Sequence, residues 1–117
     1  MTDKIKRGRE GERLAANFLQ EKGYEIVAHN YRSGRSEIDL IVRMGNWLVF
    51  VEVKTRTSTA YGYPEDFVSY KQEQKIFEGA LDYMYEIDWR GNVRYDIVAV
   101  DLSSGQPDIR HIEDAFY

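Results

Sequence analysis

The stretch SEIDLIVRMGNWLVFVEVKTR, residues 36 to 56, constrains the fold more than any other part of this chain. Two apolar runs flank Gly45-Asn46, a dipeptide that favours a two-residue hairpin turn between antiparallel strands. Such a turn fixes the register. Met44 then faces Trp47, Val42 faces Val49, Leu40 faces Val51 and Ile38 faces Val53, so one side of the hairpin is wholly apolar and is assigned to the core. The other side pairs Arg43 with Leu48, Ile41 with Phe50, Asp39 with Glu52 and Glu37 with Lys54. It is apolar near the turn and charged at the open end.

Directly opposed side chains in an antiparallel pair stand about 5 Å apart, and like charges there are destabilising. Charges within an apolar run need a partner, a cation or an exposed edge. Shared coordination of a divalent cation relieves the repulsion between Asp39 and Glu52, and carboxylate oxygens suit hard Mg2+ or Mn2+. Lys54, two residues beyond Glu52, points to the same face. Its ammonium there can neutralise a developing phosphate charge or orient an attacking water. The alternative is a solvated edge, with Glu37 and Lys54 forming a weak cross-strand ion pair.

The rest of the chain sets the hairpin in an α/β order. Residues 5 to 22 have Leu14, Ala15, Phe18 and Leu19 at helical spacing, and Gly23 is a natural stop. Glu12 on its own reads as an exposed helix glutamate, but it lies on the side of Ala15, Ala16 and Leu19, which faces inward. Residues 24 to 32 form a first strand, followed by a turn at 33 to 36. After loop chemistry at 57 to 64, a second helix spans 68 to 85 with Ile76, Ala80, Leu81 and Met84 as its apolar face. A strand at 93 to 102 precedes a last short strand or tail ending in RHIEDAFY. One domain, 1–117, is expected, mixed α/β, with helices packed on a sheet in the order α-β-β-β-α-β and a seventh element, β, at the end.

No run reaches the length of a membrane span and no signal-peptide core opens the chain, so a cytoplasmic protein without a membrane partner is expected. The absence of cysteine excludes disulfides and thiolate zinc sites. A net charge of -4 gives no global basic footprint for nucleic acid. Whole-chain charge says little about one face, however, and a site for a divalent metal must itself be acidic.

An acid on one strand, E-x-K on the next and a glutamate on a preceding helix resemble the PD-(D/E)xK nuclease superfamily, with Ile38 at the proline position, Asp39 as the first acid and Glu52, Val53 and Lys54 as E-V-K. The chain is more closely similar to the YraN family of bacterial proteins, which look like distant relatives of archaeal Holliday-junction resolvases. The similarity runs through GREGERLA at residues 8 to 15, NYR at 30 to 32, EIDLI at 37 to 41, FVEVKTR at 50 to 56, YGYPED, Lys71-Gln72, RYDIVAV and HIEDAF. One departure is Ser36, where the family usually carries glycine.

The resemblance implies a restriction-endonuclease-like core, a mixed sheet flanked by helices, and a homodimer. It implies that Asp39, Glu52 and the Val53 backbone carbonyl bind Mg2+ (or Mn2+), that Lys54 assists the water, and that Glu12 completes the acidic cluster. The expected activity is metal-dependent endonucleolytic hydrolysis of phosphodiester bonds in DNA, with branched or structured DNA among the substrates. The competing reading is a nucleic-acid-binding or scaffold protein that keeps the fold without cleavage. A third is a structural domain whose charged cluster only assists folding or a protein contact.

Arg32, Arg35 and Arg56 flank the acids in sequence and are candidates for backbone phosphates. Lys71, Gln72 and Lys75 are further candidates from the second helix, against the alternative of a solvated face. Asp96 reads as structural, paired with an arginine. His29 and His111 read as surface or hydrogen-bonded residues, and Tyr61 and Tyr63 as the tyrosines suited to base stacking.

Overall fold

Strand β3 (Trp47–Arg56) reads WLVFVEVKTR, and in the computed structural model every residue from Leu48 to Val53 is buried. A strand buried on both faces belongs in the middle of a sheet covered by two layers. The structure describes residues 3–57 and 69–116, with side chains from residue 8 onward. Along the chain run α1 (Asp3–Glu21), β1 (Glu25–Ser33), β2 (Ser36–Met44), β3, α2 (Tyr70–Ile87), β4 (Asn92–Asp101) and β5 (Asp108–Ile112). This is the expected order, with the final strand present.

The strands lie in the order β1-β2-β3-β4-β5, and only the β3–β4 pair is parallel. A parallel pair needs a crossover, which α2 supplies. Helix α1 sets Ala15, Ala16 and Leu19 against Leu40, Val42, Val49, Val51 and Val98 on one face. Helix α2 sets Ile76 and Ala80 against Ile38, Ile41, Leu48, Phe50 and Ile97 on the other. Full burial of each large aliphatic side chain contributes about 1.5–3 kcal/mol. Both faces are therefore core, where the hairpin pattern assigned only one.

Three local expectations are corrected by this packing. Met44 and Trp47 flank the turn and are 39% and 42% exposed, because the hairpin tip extends past the covering layers. Leu81 is 64% exposed. The inward stripe of α2 runs through Ile76, Gly79 and Ala80, and Leu81 falls one residue, or about 100°, round the helix from it. Gly79 is there for closeness, since a Cβ on it would come within 3.0 Å of the Ser36 Cβ. Ser36 is accordingly buried, its small side chain meeting α2 there.

The third correction concerns the register. Pairing of β2 with β3 follows the expected alignment from Met44↔Trp47 to Leu40↔Val51 and stops there. Ile38 packs in the α2-side cluster while Leu40 and Val42 pack on the α1 side, so the strict alternation breaks at Asp39. On β1, Asn30 lies between the pairs His29↔Leu40 and Tyr31↔Ile38 and takes φ 48°, a left-handed value that asparagine tolerates. The two strands part at the acids.

Helix α1 lies tightly on β3 at Gly11, where an added Cβ would overlap the Thr55 hydroxyl. Gly11→Val is expected to cost about 2 kcal/mol through overpacking and to push Glu12 away from β3. Chemical denaturation measures it, and an unchanged midpoint would show that the contact yields freely. No described helix is long and apolar enough to cross a membrane.

Candidate active site

Where β2 and β3 part, the Asp39 carboxylate turns into the gap and its Oδ2 accepts a hydrogen bond from the Val53 amide at 2.8 Å. The side chain thus takes the place of a lost ladder partner. Glu52, 8% exposed, shares the α2 side of β3 with Phe50, as two-residue alternation requires. Asp39 and Glu52 line a recess of about 500 Å3 together with Gly8, Glu12, Val53 and Thr55. Glu12 reaches it from α1, as its inward position on the helix suggested.

The electrostatics follow from burial. Loss of water around Asp39, then the Glu52 charge, push its carboxyl up to about 8 against the pull of the Val53 amide, with Glu12 and Glu37 adding to the rise. Burial also raises Glu52, opposed by Lys54 and by a hydrogen bond with Asp39. The Lys54 ammonium stands 3.5 Å from Glu52 Oε1. Three carboxylates face one ammonium, so this edge carries more negative charge than its own groups balance.

Among the described residues no three acidic or histidine side chains already form a metal cluster. Asp39 and Glu52 are a pair with Glu12 on the wall of the same recess. Hard oxygen donors, uncompensated negative charge and carboxyls pushed upward suit a divalent cation. Asp39, Glu52 and Glu12 are the carboxylate side chains available to hold it, and Val53 lines the same recess.

Gln72 has a role that sequence reasoning did not give it. Its Nε2 donates to Glu52 Oε1 at 2.8 Å and its Oε1 accepts from Lys54 Nζ at 3.2 Å, bridging the two charged groups from α2. Ser69 caps the helix by accepting from the Gln72 amide at 3.1 Å, which fixes the turn carrying this side chain. The spacing Ser69-x-x-Gln72 is that of a capping box and was legible. The side chain, however, reaches across to β3.

The basic candidates divide. Arg35, Lys71 and Gln72 line a second recess of about 360 Å3 with Lys75 and Glu37. Arg35, Lys71 and Lys75 have no hydrogen bond or ion pair among the described residues. Arg32 instead lies 3.7 Å from Glu37, and Arg56 is held at 2.5 Å by Asp101, its partner in the parallel β3–β4 register. Tyr61 and Tyr63 lie outside the described residues. His29 is exposed, whereas His111 is buried in the network described next.

Asp96, fully buried, takes two bonds from Arg94 at 2.8 Å, one from the Asp114 amide at 3.0 Å and one from His111 Nε2 at 2.6 Å. It is structural, as expected, with His111 as an additional partner. Because Nε2 donates to the carboxylate, Nδ1 is the nitrogen that accepts from Lys22 Nζ at 2.7 Å.

Among known proteins, the model of a family described as Uncharacterised protein family UPF0102 matches residues 11–100. The chain belongs to this family. UPF0102 is the YraN family that the motifs resemble. A UPF0102 protein of Cytophaga hutchinsonii is 45% identical over 96 residues, covering 82% of this chain and 85% of its own. One from Rhodococcus opacus is 43% identical over 119 aligned positions, covering 99% and 100%. The solved structure of Pyrococcus furiosus SfsA in complex with Ca2+ matches with TM-score 0.39 and 17% identity, over 97% of this chain and 64% of that one. This UPF0102 chain therefore spans less than two thirds of SfsA, and the likeness is too low to support an inference.

Proposed function

We propose that this UPF0102 protein is a metal-dependent nuclease that hydrolyses phosphodiester bonds in DNA. The observation that supports this most is the parting of β2 from β3 at Asp39, which gathers Asp39, Glu52 and Glu12 at one recess, with Lys54 held 3.5 Å from Glu52. Asp39 and Glu52 hold Mg2+ or Mn2+, with Glu12 and the Val53 carbonyl as further oxygen donors. When bound, the ion supplies Lewis-acid chemistry to a phosphodiester oxygen. Lys54, kept beside Glu52 by the Gln72 carbonyl, presents its ammonium to the water or to the developing phosphate charge. Arg35, Lys71 and Lys75 take a neighbouring backbone phosphate. A cytoplasmic location and a homodimer of the 13.7 kDa chain belong to the same proposal, the latter read by light scattering.

Two variants separate the roles. Lys54→Ala is expected to keep divalent-ion binding in isothermal titration and to lose cleavage. Lys71→Ala with Lys75→Ala is expected to weaken DNA binding uniformly across sequences and to reduce the slope of log K against log salt by about 2. Anisotropy over a sodium chloride series reads this, and an unchanged slope would remove the α2 recess from the strand's path. Binding without cleavage is the second reading, favoured by the Gln72 bridge that occupies both Glu52 and Lys54. It predicts DNA affinity that survives Lys54→Ala and no products from the wild type.

A further inference from the structure

Three recesses follow one another around the acids. Glu12 is a wall shared by the acidic recess and by a third, of about 330 Å3, between α1 and β1. On the other side, the Gln72–Glu52 bond joins the acidic recess to the cationic one beneath α2. The two flanks differ in chemistry. The α2 flank offers three cations, Arg35, Lys71 and Lys75, that have no side-chain partner among the described residues and suit phosphate. The α1 flank has the side-chain amides of Asn17 and Gln20 and the His29 ring around Ala16 and Ile26; its two arginines, Arg9 and Arg13, both have partners, Arg13 being tied to Glu10 at 2.6 Å.

Amides that both donate and accept, set around apolar surface, match the edge and face of a nucleobase better than a phosphate. Asn17, Gln20 and His29 have no side-chain hydrogen bond among the described residues, so their bonding capacity is open to a ligand. We infer that the α1–β1 recess binds the base of an unpaired nucleotide one step from the scissile phosphate. This rests on the nuclease reading and narrows its substrate to DNA strands that are single-stranded or opened beside the cut. A base in a continuous duplex has its Watson–Crick edge occupied and stays in the stack, so it cannot enter such a recess without being flipped.

The test uses full-length protein with Asp39→Asn, to prevent turnover, and that protein with Asn17→Ala and Gln20→Ala added. Both added positions are exposed, and thermal melting confirms that the variants remain folded. Fluorescence anisotropy measures binding to a labelled single strand, to the same strand with an abasic site, and to a blunt duplex. The expected result is about tenfold weaker binding of the single strand by the double-alanine protein, the size of one or two lost base contacts. Duplex binding should be unchanged, and the abasic strand should bind equally to both proteins. An equal loss on strand and duplex, or no loss on either, would overturn the inference while leaving the nuclease reading intact. No binding of any DNA by the parent protein would overturn both.

Discussion

Asp39→Asn should make this protein more stable in the absence of metal at pH 8 and should abolish its stabilisation by Mg2+ or Mn2+. The Asp39 carboxyl is pushed up to about 8 in the folded chain, chiefly by burial and then by Glu52. Unfolded, it titrates near 4. A folded value above the unfolded one means that the native state holds the proton more tightly, so stability is fully present below pH 4 and is lost as pH rises towards 8. Asparagine carries no charge, and its carbonyl can still accept from the Val53 amide. A carboxyl moved from near 4 to about 8 sets the gain at pH 8 at no more than about 5 kcal/mol, which corresponds to at most ~20 °C in melting temperature. At the proposed metal site a divalent cation would do the work of the proton, so added Mg2+ or Mn2+ should raise the wild type's melting temperature more at pH 8 than at pH 5. A wild type and variant that respond equally to metal would remove Asp39 from the ligand set.

Asp96→Ala should cause the largest loss of stability. The carboxylate is fully buried and answers Arg94, His111 and the Asp114 amide at once, so its loss strips the half-buried Arg94 guanidinium of its two-bond partner, leaving it Tyr24 and Glu113, and leaves the buried His111 Nε2 without an acceptor. Breaking such a pair costs about 3–5 kcal/mol, enough to lower the melting temperature by roughly 15 °C. Burial alone would raise the Asp96 carboxyl, but His111, Arg94 and the Asp114 amide together hold it below its ordinary value. Its contribution is therefore present above pH 4 and lost as pH falls. The variant's stability should change less than the wild type's between pH 4 and pH 2. This slope is opposite in sign to that of Asp39. Denaturant unfolding at several pH values measures both, and a loss under 1 kcal/mol for Asp96→Ala would mean that solvent reaches Arg94 when its partner is removed.

The hairpin was legible because Gly45-Asn46 and the flanking alternation leave one acceptable register, and the pairing obeys it as far as Leu40↔Val51. The parting of the strands was not. It depends on Asp39 bonding to the Val53 amide in place of a ladder partner, a choice that periodicity does not encode. The second core face was legible near the turn, where Ile41, Leu48 and Phe50 read as apolar, but the layer that covers it was not, because α2 comes from far along the chain. Glu12 was placed on the inward side by helical spacing together with the family resemblance, since a lone helix glutamate otherwise reads as exposed. Gln72 could be placed at a helix start but not aimed, because its targets lie on another strand. Arg32 and Arg56 stand beside the acids in sequence, yet Glu37 and Asp101 claim them in space, and only the strand pairings bring those partners together.

The most direct test of the proposed chemistry is cleavage of labelled duplex, single-stranded, flap and four-way-junction DNA with Mg2+ or Mn2+. Wild type, Asp39→Asn and Lys54→Ala are compared on all four. Metal-dependent products from the wild type on at least one substrate, reduced at least about 100-fold in both variants, are the expected result. Products that persist undiminished in both variants, or none from a metal-saturated wild type on any of the four, would contradict it.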